Sequence, residues 1–118
     1  MRMGEMSQRT GVHERMLRYY EQRGLLHPQR RPSGYREYGE ADVTTVQRIR
    51  ALLDAGLSTA LIAEVLPCVR DDGALLRPTC PQVRASLAAE RERMTSAIAA
   101  LSTSRDLLDR VLSPAAGT

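Results

Sequence analysis

The chain has 118 residues, 42% of them hydrophobic, and a formal net charge of +3. That length holds one small core and an appended helix rather than two full domains, and the composition excludes an acidic disordered tail while leaving nucleic acid open as a partner. No apolar run reaches the ~20 residues of a membrane span, and the opening MRMGEMSQRTG has no signal-peptide core, so a cytoplasmic protein without membrane contact is expected. The charge is uneven: residues 1–50 hold ten Arg against six acids, and residues 51–118 hold seven against eight. Every basic residue is Arg, and the footprint is N-terminal.

In chain order, Arg2-Met3 reads as a short extended lead-in and Glu5 to Arg9 as a brief first helix. Gly11 can take a positive φ and turn the chain into a second helix, where Val12, Met16, Leu17 and Tyr20 recur at helical spacing until Gly24 ends it. The outer face of that helix carries His13, Glu14, Arg15, Arg18 and Tyr19, a set that suits phosphates and base edges in a major groove. Two arginines on a polar face are by themselves equally compatible with a solvated surface. Pro28, Pro32 and Gly34 then forbid helix, and Tyr35-Arg36-Glu37-Tyr38 alternates at strand period, which predicts a small wing made basic by Arg30, Arg31 and Arg36. Tyr35 and Tyr38 have opposite parity, so one packs inward and one reaches outward.

A third helix follows from Glu40 to Ala55 on the stripe Val43, Val46, Ile49, Leu52 and Leu53, and Gly56 stops it. Ser58 caps a fourth helix through Leu66, and the Gly56-Leu57-Ser58 turn is read as a second wing. CVRDDGALLRPTCP, with Gly73, Pro78 and Pro81 and no period, reads as a linker. Thr79 and Gln82 have capping-box spacing before a long helix, in which Leu87, Met94, Leu101 and Leu108 repeat every seven residues with Val83, Ile98, Val111 and Leu112 alongside. A helix of ~30 residues is about 45 Å long, outreaches so small a domain and calls for a partner.

TGVHERMLRYYEQRGLLHPQR, SGYREYGEADV, the Ile49-Arg50 pair and AGLSTALIAEVL together resemble the winged helix-turn-helix domain of the MerR family of transcription regulators, over residues 2–66. The resemblance implies a mostly α fold: a winged helix-turn-helix at 1–67, a linker at 68–80, a dimerisation helix at 81–112 paired as an antiparallel coiled coil, and a short tail at 113–118. It implies a homodimer on double-stranded promoter DNA, distorting the spacer that RNA polymerase uses. His13, Arg15, Arg18, Tyr19, Tyr35, Arg36 and Tyr38 become expected DNA contacts, and Leu87, Met94, Ile98, Leu101 and Leu108 the expected dimer seam. His13 stands where the family usually has Ser or Thr, and Leu57 where it often has Phe. Only SPAAGT follows Leu112, so a form without the separate effector-binding domain of larger family members is expected.

Cys68 and Cys80 are the remaining candidates for sensor chemistry. Two cysteines are too few for a secreted scaffold, and in a reducing compartment free thiols are expected. Cys80 falls in the first turn of the long helix, where the dipole favours a thiolate. A soft metal at both cysteines, completed by Asp71 and Asp72 or by a second subunit, a reversible disulfide, and simple packing all remain open. The C-x11-C spacing is not a zinc signature. An architectural DNA-bending protein and a thiol oxidoreductase are the alternatives in function; the second is disfavoured because there is no C-x-x-C and neither His13 nor His27 lies near the thiols in sequence.

Overall fold

Helix begins almost at once, with α1 covering Met3–Thr10 and α2 covering Glu14–Gln22. The computed structural model describes residues 1–72 and 75–114, leaving out the side chains of 70–72 and 75–77. Between the first two helices Gly11 sits at φ 72°, a left-handed conformation that a Cβ disfavours, and its N–H donates to the Ser7 carbonyl at 2.9 Å. The turn is closed by side chains. Ser7 Oγ donates to the Val12 carbonyl in the turn at 2.7 Å, and Arg50 Nη1 reaches back at 2.9 Å to the Thr10 carbonyl, which the helix end leaves open.

Two strands, β1 (Gln29–Arg30) and β2 (Arg36–Glu37), then pair antiparallel as the wing. Helix α3 (Glu40–Asp54) starts where the Asp42 carboxylate accepts the Gly39 N–H at 2.8 Å, and α4 (Thr59–Val65) starts where Ser58 Oγ accepts the Leu61 N–H at 3.2 Å. Helix α3 packs against α1 and α4 and buries Val43, Val46, Ile49 and Leu52. With Met6, Leu17, Leu26, Ile62 and Val65 these residues form the core, each full burial of a Leu or Ile contributing about 1.5–3 kcal/mol.

The structure corrects four local readings. Met16, assigned to the inner face of the second helix, is 40% exposed, because Leu17 and Tyr20 already fill that face. The Gly56-Leu57-Ser58 turn is a helix stop rather than a wing: Gly56 at φ 84° donates its N–H to Leu53, and Leu57 donates to Leu52 while its side chain is buried. The stretch read as a linker holds a hairpin, β3 (Val69–Asp72) on β4 (Leu75–Pro78), entered through a 3-10 turn at Leu66–Cys68. Pro78 is tolerated because it ends its strand. Finally, Thr79 does not cap the long helix. Its N–H and its hydroxyl both donate to the Cys68 carbonyl, at 2.6 and 2.9 Å, across the base of the hairpin.

The chain divides into two compact units, Met1–Cys80 and the part from Pro81 onward. The second unit is helix α5, Pro81–Leu112, whose 32 residues extend about 48 Å at 1.5 Å per residue. Among its described residues only Val83 is buried; Leu87 and Met94 are half-buried, and Ile98, Leu101, Leu107, Leu108, Val111 and Leu112 are exposed.

Candidate nucleic-acid interface

His13 opens α2 with extended backbone and caps it, Nδ1 accepting the Arg15 N–H at 3.1 Å. The imidazole thus does the work that Ser or Thr would do at this position. Leu17 and Tyr20 turn inward, which leaves His13, Arg15, Arg18 and Tyr19 exposed along one side, with Glu14 half-buried. Neither the Arg15 nor the Arg18 guanidinium has a hydrogen bond or ion pair among the described residues. Tyr19 lies under the Arg23 guanidinium, 5.7 Å from ring centre, and Arg23 Nε also donates to Thr59 Oγ1 at 3.3 Å.

Beside this face stands the wing. Its tip is tightened by Gly34 at φ 87°, whose N–H donates to the Arg31 carbonyl at 2.8 Å and whose own carbonyl accepts Arg30 Nη1 at 3.1 Å. Glu21 on α2 grips both strands: Oε1 accepts Arg30 Nη2 at 3.1 Å and Oε2 accepts Arg36 Nε at 2.7 Å. Arg31 pairs with Glu37. The wing arginines are therefore oriented by carboxylates, whereas those of α2 are open.

Where wing, α1 and α2 meet, Arg2, Met3, Gly4, Arg18, Gly34, Tyr35 and Arg36 line an open cleft of about 320 Å³. Arg2 lies over the Tyr35 ring at 5.0 Å, close enough for a cation–π contact, and Tyr35 is 60% exposed. Three guanidinium groups and a phenol converge there, a donor set matched to an anionic backbone. Arg2 and Glu21 were missed in the sequence. Glu21 sits in the LRYYE stretch, but only its pairing with residues nine and fifteen positions on reveals its part.

Tyr38 is corrected. Expected to touch DNA, it is only 2% exposed, and its hydroxyl is buried without a hydrogen-bond partner. Its backbone bonds to Met1 in both directions, N–H to carbonyl at 2.7 Å and carbonyl to the amino terminus at 2.6 Å. Tyr20 is buried likewise, and burial pushes the ionisation of both phenols above the ordinary tyrosine range. Elsewhere Arg9 clasps Glu40 with two bonds, at 2.9 and 2.8 Å, tying α1 to the start of α3; these bonds hold the Glu40 carboxyl below its usual range, as the bond from Arg31 does for Glu37.

Cys68 and Cys80 form a disulfide, with Cα atoms 5.6 Å apart. The expected free thiols are thus absent in this form, and so are the thiolates a soft metal needs. Among the described residues no three His, Cys, Asp or Glu side chains gather as a metal site, and the side chains of Asp71 and Asp72 lie outside the described residues. Among the described residues, the two bonded sulfurs do not offer a soft-metal site.

A helix-turn-helix with an exposed arginine-bearing second helix and a basic wing defines a winged DNA-binding unit. Residues 1–67 match the MerR HTH family of regulatory proteins, and the chain belongs to that family. It is 46% identical over 72 residues to a heavy metal-dependent transcription regulator of Rhizobium meliloti, a match covering 60% of this chain and 49%, about half, of that relative. An uncharacterised HTH-type transcriptional regulator of Pseudomonas aeruginosa is 35% identical over 109 residues, 92% of this chain and 80% of that one. Among solved structures, a transcription regulator of Ralstonia metallidurans in complex with lead(II) superposes with a TM-score of 0.76 at 26% identity, over 100% of this chain and 91% of the other. These relatives are regulators of transcription, not enzymes. No helix among the described residues is long and apolar enough to cross a membrane.

Proposed function

We propose that this chain binds promoter DNA as a homodimer in the cytoplasm and regulates transcription by distorting the spacer on which RNA polymerase acts. One observation carries the reading: the open arginine face of α2 beside the cleft of Arg2, Arg18, Tyr35 and Arg36. Arg15, Arg18, Tyr19 and His13 meet the major groove, and Tyr35, Arg36 and Arg2 meet the flanking phosphates. The dimer pairs two copies of α5 antiparallel through Leu87, Met94, Ile98, Leu101 and Leu108. What supports this is the run of exposed apolar side chains on a helix of 32 residues, a surface that a helix standing in water does not retain without a partner. A soft metal at Cys68 and Cys80 is no part of the reading while the two sulfurs are bonded to each other. An architectural protein that bends DNA without a signal would carry the same DNA face, and differs in leaving transcription unchanged by any effector.

The test is selection of bound duplexes from a random pool, followed by affinity against salt for the enriched sequence. Arg18→Ala is expected to weaken specific binding by about 1–3 kcal/mol, and Arg36→Ala to reduce the salt slope by about one counterion. An unenriched pool, or two variants that match the parent in affinity and slope, would sink the docking.

A further inference from the structure

We propose that the Cys68–Cys80 disulfide is a redox-active bond that exchanges with low-molecular-weight thiols and sets how the DNA-binding unit holds the start of α5; the inference rests on the regulatory reading above. A protein that works on promoter DNA works where small thiols keep cysteines reduced, and in such a compartment a disulfide is ordinarily transient and signalling. This bond has the attributes of one that opens and recloses.

Its position is marginal to the core. Met6, Leu17, Val46, Ile49, Ile62 and Val65 are fully buried, whereas Cys68 and Cys80 at the hairpin base are both only half-buried. Closure of the same loop does not depend on it. The ladder from Val69↔Pro78 to Asp72↔Leu75 and the two bonds from Thr79 to the Cys68 carbonyl span the same base, so the reduced sulfurs stay neighbours and the bond can re-form. The two sulfurs also differ. Cys80 directly precedes Pro81, the first residue of a 32-residue helix, where unpaired N–H groups and the dipole favour negative charge; Cys68 ends a three-residue turn with no such field.

That asymmetry orders the exchange. A thiolate RS⁻ attacks Cys68 Sγ, the S–S bond breaks, and its electron pair leaves on Cys80 Sγ, the better-stabilised thiolate. A second RS⁻ attacks the sulfur of R in the Cys68–S–S–R mixed disulfide and releases RSSR and the Cys68 thiolate. In sum, one protein disulfide and two RSH give two protein thiols and RSSR, and RSSR drives the reverse. The mechanical consequence lies at one peptide bond. In the oxidised form Cys80, the last residue of the first unit, is covalently tied to the end of the turn that follows α4, whose Val65 is in the core; on reduction only hydrogen bonds hold that exit. The chain leaving for α5 is then less constrained, and so is the distortion two DNA-binding units impose on the DNA between them.

The experiment equilibrates the full-length protein with buffers of reduced and oxidised glutathione, quenches with an alkylating agent and reads the mass; footprinting and in vitro transcription follow on the selected operator. The expected result is reversible conversion within the buffer series, mixed disulfide trapped on Cys68 rather than Cys80, and transcript levels that differ between the two forms on the order of fivefold or more at similar operator occupancy. Cys68→Ser and Cys80→Ser should each be fixed at the reduced level whatever the buffer. Chemically reduced wild type supplies the same comparison if either variant fails to fold. A bond that survives excess reduced glutathione, or identical transcript from both forms, overturns the proposal. An absent footprint in both forms would instead fail the regulatory reading, and the mass assay, which needs no DNA, still decides the thiol chemistry.

Discussion

Residues Met1–Cys80 and helix α5 use the same aliphatic side chains to opposite ends. In the first unit, Leu17, Leu26, Ile49 and Ile62 are at most 1% exposed, and caps and ion pairs such as those of His13, Ser58 and Glu21 hold the helix starts and the wing around them. In α5, Ile98 is 69% exposed, Leu101 73% and Val111 79%. A core that closes on itself supports independent folding; a helix that keeps its apolar side chains in water is half of a structure. The two regions therefore ought to fail differently when damaged.

The sharpest contrast pairs Leu101→Asp with Leu17→Ala. Placing a carboxylate in the proposed seam should abolish dimers in analytical ultracentrifugation and with them most operator affinity, while the cooperative melt of the first unit persists. Leu17→Ala should do the reverse, lowering that melt by about 2–5 kcal/mol and leaving the assembly of the folded fraction intact. Dimers surviving the first change would put the interface elsewhere.

A smaller effect, with an instructive sign, is expected at Glu21. Removing a negative charge from a DNA-facing surface strengthens binding if charge alone matters. Since this carboxylate orients Arg30 and Arg36 at 3.1 and 2.7 Å, Glu21→Gln should instead weaken specific binding, by about 1 kcal/mol, while non-specific binding holds or rises. Tighter specific binding would show that the wing needs no such grip. The smallest effect is one of pH. Glu37 and Glu40 are held below the ordinary carboxylate range in the folded state, so their ion pairs stabilise fully above that range, and the contribution is lost as pH falls through the lowered values. Both pairs are exposed, so the decline on acid titration should be shallow, confined to the first unit, and removed by Glu40→Gln for the Arg9 part.

What the sequence revealed follows the range of the interactions involved. The stripe Val43, Val46, Ile49 and the capping Ser58 are local signals, and α3 and α4 form where they point. The opposite parity of Tyr35 and Tyr38 likewise foretold one outward ring and one inward, although which ring did which depended on the core. The hairpin at 69–78 escaped because Pro78 and Gly73 resemble linker residues and its strands lack alternation. The grip of Glu21 and the stacking of Arg2 on Tyr35 join residues that only the folded chain makes neighbours, and no periodicity encodes them.

The cap at His13 has a further chemical consequence. An imidazole whose Nδ1 accepts the Arg15 N–H carries its ring proton, when neutral, on Nε2. The tautomer is thereby chosen by the helix start rather than by the partner, and the exposed edge of the ring offers a donor. Along an operator that edge matches the N7 of a purine or a phosphate oxygen and mismatches the amino group of adenine or cytosine. Serine in its place would cap the same helix but, being able to donate or accept, would not make that distinction.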